Sequence, residues 1–96
     1  MDITSKQKKF LRAKAHSLNV VVTIGAKGLT QAVKDEVELA LSTHELIKIK
    51  LPADDKAEKL KTLASLCTEL KAAQAQLIGR VGVLYRPAKP KIINLP

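Results

Sequence analysis

The chain has 96 residues, 46% of them apolar and 27% charged, which fits one small globular domain and excludes a disordered or low-complexity chain. No run approaches the ~18 apolar residues of a membrane span, the opening Met1-Asp2-Ile3-Thr4-Ser5-Lys6 lacks the apolar centre of a signal peptide, and the single cysteine, Cys67, excludes an internal disulfide or a Cys-rich zinc site, so a reducing cytoplasmic setting is expected. The net charge is +8 and sits at the two ends of the chain: residues 1–34 carry seven basic groups and one acid, residues 73–96 four basic groups and no acid, and residues 35–72 eight acids and six lysines. A fold that brings the ends together makes a basic face suited to phosphates.

The spacing predicts a first helix over 4–18, capped by Thr4 or Ser5, with Leu11, Ala15 and Leu18 as its apolar stripe and Lys8, Lys9 and Arg12 toward water. Val20-Val21-Val22-Thr23-Ile24 is β-branched throughout and reads as a short buried strand. It ends at Gly25-Ala26-Lys27-Gly28, after which Thr30 offers an N-cap oxygen for a second helix over 31–43. That helix buries Val33, Val37, Ala40 and Leu41 and turns Lys34, Asp35 and Glu38 to water. Residues 45–51 alternate: Ile47, Ile49 and Leu51 point one way, and Leu46, Lys48 and Lys50 point to a wet face. Pro52 stops the strand. Asp54 or Asp55 caps a third helix to about Ala73, with Leu60, Leu63, Ala64, Cys67 and Leu70 as its core stripe. Ala75–Ile78 and Val81–Tyr85 then form a hairpin about Gly79-Arg80. Residues 87–96 are an extended tail that Ile92, Ile93 and Leu95 can dock.

The order is α-β-α-β-α-β-β in a single domain spanning 1–96, with at least one parallel strand pair and the last strand turning back. The architecture is an α/β two-layer sandwich on a four-stranded mixed sheet.

Gly25-Ala26-Lys27-Gly28 is the most informative segment. Glycines allow positive φ and close approach by another chain, the loop feeds a helix N-terminus, and Lys27 adds a full charge at its tip. The spacing is neither that of a P-loop nor that of a dinucleotide fingerprint. It compares better with the G-x-x-G loop of KH domains, which clamps a nucleic-acid backbone, although that loop joins two helices. Lys8, Lys9 and Arg12 form a second basic group. Arg80 and Tyr85-Arg86-Pro87-Ala88-Lys89 form a third. Each, taken alone, also reads as an ordinary turn or solvated face. His16 and His44 lack metal-ligand spacing, Cys67 falls on a buried stripe, and no carboxylate pair is evident in a dry pocket, so no catalysis, metal or cofactor is expected. Phe10 and Tyr85 are the only aromatic residues, which excludes an RRM and favours reading of backbone and shape.

Several ordered blocks resemble the CRM (chloroplast RNA splicing and ribosome maturation) domain family. They are Lys6-Gln7-Lys8-Lys9-Phe10-Leu11-Arg12-Ala13 with Ala15-His16-Ser17-Leu18, Val22 to Thr30 around the G-x-x-G loop, His44 to Lys50, and Ile78-Gly79-Arg80 with Leu84-Tyr85-Arg86-Pro87. The resemblance covers the whole chain, and a single unattached domain looks like the stand-alone bacterial (YhbY) branch. It implies a fold similar to the C-terminal domain of translation initiation factor three. It also implies RNA binding, with association with precursors of the large ribosomal subunit. The G-x-x-G motif carries over onto Gly25, Ala26, Lys27 and Gly28, with Ala26 where a larger, basic or polar residue is usual. The expected contacts are Lys8, Lys9 and Arg12 to phosphates, Gly25 to Gly28 for close backbone approach, and Arg80 and Arg86 as flanking contacts. The expected protein is a monomer with no membrane or small-molecule partner. An adaptor with an acidic protein partner is the rival reading, and an RNA-modifying enzyme is a remoter one.

Overall fold

The structure is a computed structural model in which residues 1–52 and 55–96 are described. The elements are α1 (Ser5–Ala15), β1 (Val20–Thr23), α2 (Gln31–His44), β2 (Leu46–Lys50), α3 (Lys56–Leu70), β3 (Ala73–Ile78) and β4 (Val81–Tyr85). Their order is the expected one. The strands form one mixed sheet in the order β1-β2-β4-β3. β1 pairs with β2 in parallel, across the α2 crossover, and β4 is antiparallel to both β2 and β3.

The helix starts follow from local hydrogen bonding. Thr4 Oγ1 accepts from the Gln7 amide at 3.0 Å, and Gln7 Oε1 accepts from the Thr4 amide at 3.0 Å, a reciprocal capping box. Thr30 Oγ1 accepts from the Val33 amide at 3.2 Å and starts α2. Asp55 occupies the N-cap of α3 without a side-chain cap bond, and Asp54 lies outside the described residues.

Each face of the sheet carries its own core. On one, α2 and α3 pack Val37, Leu41, Leu63 and Leu66 against Val22, Ile24, Ile47, Ile49 and Leu84. On the other, α1 places Leu11 and Ala15 over Leu46, Ala75, Val83 and Tyr85, and the tail adds Ile93 and Leu95. The α2/α3 layer on the sheet is the sandwich expected from the pattern, and α1 with the tail covers part of the second face.

Several local expectations are corrected. α1 stops at Ala15, so Leu18 lies beyond it and is exposed. β1 is an edge strand, and Val20 and Val21 are exposed rather than buried. Leu46 does not face water, because α1 covers it. α3 ends at Leu70, and its buried stripe is Lys59, Leu63 and Leu66, while Leu60 and Ala64 face outward. The Lys59 stem is buried and its Nζ reaches the Gly79 carbonyl at 2.6 Å, on the same face of the helix as the core residues Leu63 and Leu66. Gly82 lies beneath α3, where an added Cβ would stand 2.7 Å from Leu63 Cδ2.

The tail is held by a buried carboxylate. Glu45 is fully buried at the α2–β2 junction and accepts from the amides of Ala88, Ile92 and Ile93, the last at 2.7 Å. Burial pushes the Glu45 carboxyl up, but those donors and Lys91 outweigh it and hold the group below the usual carboxylate range. Ile92 remains exposed while Ile93 and Leu95 dock.

Candidate nucleic-acid interface

The sheet register brings three connections to one end of the molecule. Thr23 stands opposite Lys50, and Lys50 opposite Val81, so the loop after β1, the exit of β2 and the Gly79-Arg80 turn are neighbours. Backbone bonds tie them together: the Ile24 amide donates to Lys50 O at 2.8 Å, and the Leu51 amide to Arg80 O at 2.7 Å. Gly25, Ala26, Lys50 and Arg80 line one shallow cleft there.

In the loop, the Gly28 amide donates to Gly25 O at 3.0 Å, closing a turn. Gly28 has φ +73°, so only it uses the left-handed freedom of glycine; Gly25 does not. Among the described residues, a Cβ at Gly25 would meet nothing within 4 Å, so none of them requires glycine there. Ala26 and Lys27 are exposed at the tip, immediately before the N-terminus of α2. Arg80 is exposed, yet its head is engaged: Nε donates to Leu51 O at 3.0 Å and a terminal nitrogen to Pro52 O at 2.9 Å.

The second group lies along α1. Leu11 and Ala15 face down into the sheet, so Lys8, Arg12 and His16, spaced by four, share one flank. Arg12 and His16 line a cleft of 440 Å³ with Lys48, Gln76 and Val81, over the part of the sheet that α1 leaves open. Lys8 lies further along, beside Ala73 and Gln74, and Lys9 is exposed on the outer side of the helix. Lys14 is on the opposite flank, 5.5 Å above the Phe10 ring.

Lys48 and Lys50 join the two groups, and the sequence reading left both out of the site. They share the α1-side face of β2, with Lys48 in the α1 cleft and Lys50 in the loop cleft. Lys48 Nζ makes a long 3.5 Å bond to the His16 carbonyl at the C-cap of α1, where the helix dipole favours a cation. The signal was present in Ile47-Lys48-Ile49-Lys50, but which face would border the loop depends on strand order.

Arg86 is placed elsewhere. It follows β4 at the end of the sheet opposite the loop, and its guanidinium grips both carboxylate oxygens of Glu38, the Ser42 hydroxyl and the Leu70 carbonyl. Glu38 therefore does not simply face water, and Lys34 is likewise paired, with Glu69 at 2.9 Å. Both pairs belong to the α2/α3 side. Burial pushes the Cys67 thiol up, which disfavours a thiolate. Among the described residues, no group of three or more His, Cys, Asp and Glu is placed to hold a metal ion, and no helix is long and apolar enough to cross a membrane.

Comparison with known proteins places this geometry in a family. The model of the CRS1 / YhbY (CRM) domain matches residues 3–86. An RNA-binding protein of Haemophilus influenzae is 47% identical over 94 residues, covering 98% of this chain and 95% of that protein. The Bacillus subtilis protein YqeI, also named for RNA binding, is 34% identical over 95 residues, covering 98% and 99% of the two chains. The solution structure of SAV1595 from Staphylococcus aureus matches with a TM-score of 0.88 at 30% identity, covering 99% of this chain and all of that one.

Proposed function

The chain belongs to the CRS1 / YhbY (CRM) domain family, and from that premise we propose that it is a non-catalytic RNA-binding protein that acts, as a monomer in the cytoplasm, on precursors of the large ribosomal subunit. The observation that carries the RNA reading is the continuity of the basic surface. Arg12 and Lys48 share one cleft, and Lys50 shares the next with Gly25, Ala26 and Arg80. Lys27 stands at the loop tip where a helix N-terminus adds its dipole. Such a track suits a phosphate backbone, since lysines and exposed amides bind phosphates without regard to sequence. Arg86 belongs to the architecture in this reading. The ribosomal partner rests on the resemblance to the CRM family.

The test is a sucrose gradient of a cell lysate at low salt, probed for the protein in a strain enriched for assembly intermediates. The protein is expected with precursors of the large subunit, to be scarce on finished ribosomes, and to leave the particles as salt rises. Deletion is expected to accumulate immature large-subunit particles, most visibly in the cold. Exclusive migration with small subunits, or with no ribosomal particle, overturns the ribosomal assignment.

A further inference from the structure

We infer that the cleft between α1 and the open part of the sheet receives one unpaired nucleobase of the bound RNA. The inference rests on the RNA-binding reading and adds a ligand class to it. The cleft holds 440 Å³, within the range of small-molecule sites. Its floor is aliphatic, with Val20, Val81 and Val83 beneath and Ile78 at the edge, and Ile78 is 63% exposed. An apolar patch left open on a basic face calls for a partner that is flat and apolar on one side and anionic nearby.

The rim meets the rest of that description. Arg12 offers a guanidinium plane, on which bases stack in place of an aromatic ring. Gln76 presents a carboxamide, both donor and acceptor, which matches the mixed edge of a base. Among the described residues, the lining contains no carboxylate to repel a phosphate.

The lysines of β2 supply the register. Lys48 and Lys50 lie two residues apart on one face of the strand, roughly 6.6 Å along it, which is close to the separation of neighbouring phosphates in an extended strand. A backbone that passes the Gly25–Gly28 loop at Lys50 reaches Lys48 one phosphate later, at the mouth of the cleft. The nucleoside between them then faces the aliphatic floor.

The experiment compares two RNA hairpins that differ at one position, a single-nucleotide bulge against the same bulge made abasic. Wild type is expected to bind the base-containing bulge about tenfold more tightly, the lower part of the range for burying one base. Gln76→Ala is expected to remove most of that preference while keeping the affinity for the abasic RNA. Lys27→Ala is expected to weaken both RNAs in equal proportion. In NMR spectra of the wild-type protein, the Gln76 side-chain amide and the Val81 methyls are expected to shift only with the base present, a readout that needs no variant. Equal affinity for both RNAs, or identical shifts with both, overturns the base site and leaves RNA binding standing. Failure to bind either RNA at low salt overturns the RNA reading itself.

Discussion

Arg86 and Glu38 form a two-pronged ion pair at the end of the sheet opposite the glycine loop, fastening the residue after β4 to the outer side of α2. The same guanidinium reaches the Leu70 carbonyl at 3.0 Å at the C-terminus of α3, so one side chain joins three elements. Arg86→Ala is expected to cost about 1–2 kcal/mol of stability, the scale of a few hydrogen bonds to a charged group that is partly exposed. It is expected to leave the salt dependence of RNA binding unchanged. Chemical denaturation and salt titration of the one variant check both, and a shallower salt slope would return Arg86 to the interface.

The pair also sets a pH dependence. Its hydrogen bonds to Arg86 and Ser42 hold the Glu38 carboxyl at about 2 against an ordinary 4.5. The folded value lies below the unfolded one, so the stabilisation is complete above about pH 4.5 and is lost as pH falls toward 2. Glu38→Gln is expected to be less stable than wild type at pH 7, with the difference closing as acid is added. Melting curves between neutral pH and pH 3 measure it, and a constant difference would exclude the pair as its source.

The two loop glycines are expected to separate. Gly28 has φ +73°, so Gly28→Ala is expected to cost about 1 kcal/mol in stability. Gly25 has no positive φ and, among the described residues, no neighbour that an added Cβ would meet, so Gly25→Ala is expected to fold as well as wild type. A loss of RNA affinity in Gly25→Ala would then report close approach by the RNA backbone, not a fold defect. Gly28→Asp adds a negative charge beside the strain and is expected to be the most harmful. Circular dichroism with RNA titration of each variant distinguishes these outcomes, and normal binding by a folded Gly28→Asp protein would reduce the loop to a turn.

Glu45 is expected to be the most sensitive carboxylate for stability. Glu45→Gln keeps one acceptor oxygen but sets an amide donor against backbone donors in a buried site, at a cost of about 2–4 kcal/mol. Amide hydrogen exchange at Ile92 or Ile93 is expected to accelerate in the variant, because the two amides donate to different carboxylate oxygens and one of those becomes a donor. Unchanged exchange would mean that apolar docking of Ile93 and Leu95 holds the tail alone.

The legible parts of this fold are the local ones. Thr4 and Thr30 cap helices through atoms three residues away, and Gly79-Arg80 turns a hairpin between adjacent strands, so short windows contain the information. The misread parts depend on distant partners. Val20 and Val21 look like a buried strand, yet β1 is an edge because strand order leaves it one neighbour. Lys59 looks like surface, yet its amine finds Gly79 O, twenty residues on, and Leu66 rather than Leu60 turns inward with it. Glu45 reads as the first residue of a strand until the tail returns three amides to it. The candidate site divides the same way. The loop residues form a recognisable string, whereas Lys48 and Lys50 enter the site only through the pairing of β1, β2 and β4.

The most direct test is the salt dependence of binding to large-subunit precursor RNA, measured for wild type and for the Lys48→Ala, Lys50→Ala double variant. With about 4–6 contacting cations, the wild-type slope of log affinity against log salt is expected near −3 to −5, at about −0.7 to −0.9 per phosphate. The double variant is expected to retain its fold and to lose about 1.4–1.8 from that slope. A flat wild-type titration, or a double variant with the full wild-type slope, would contradict an RNA track built on β2 and the glycine loop.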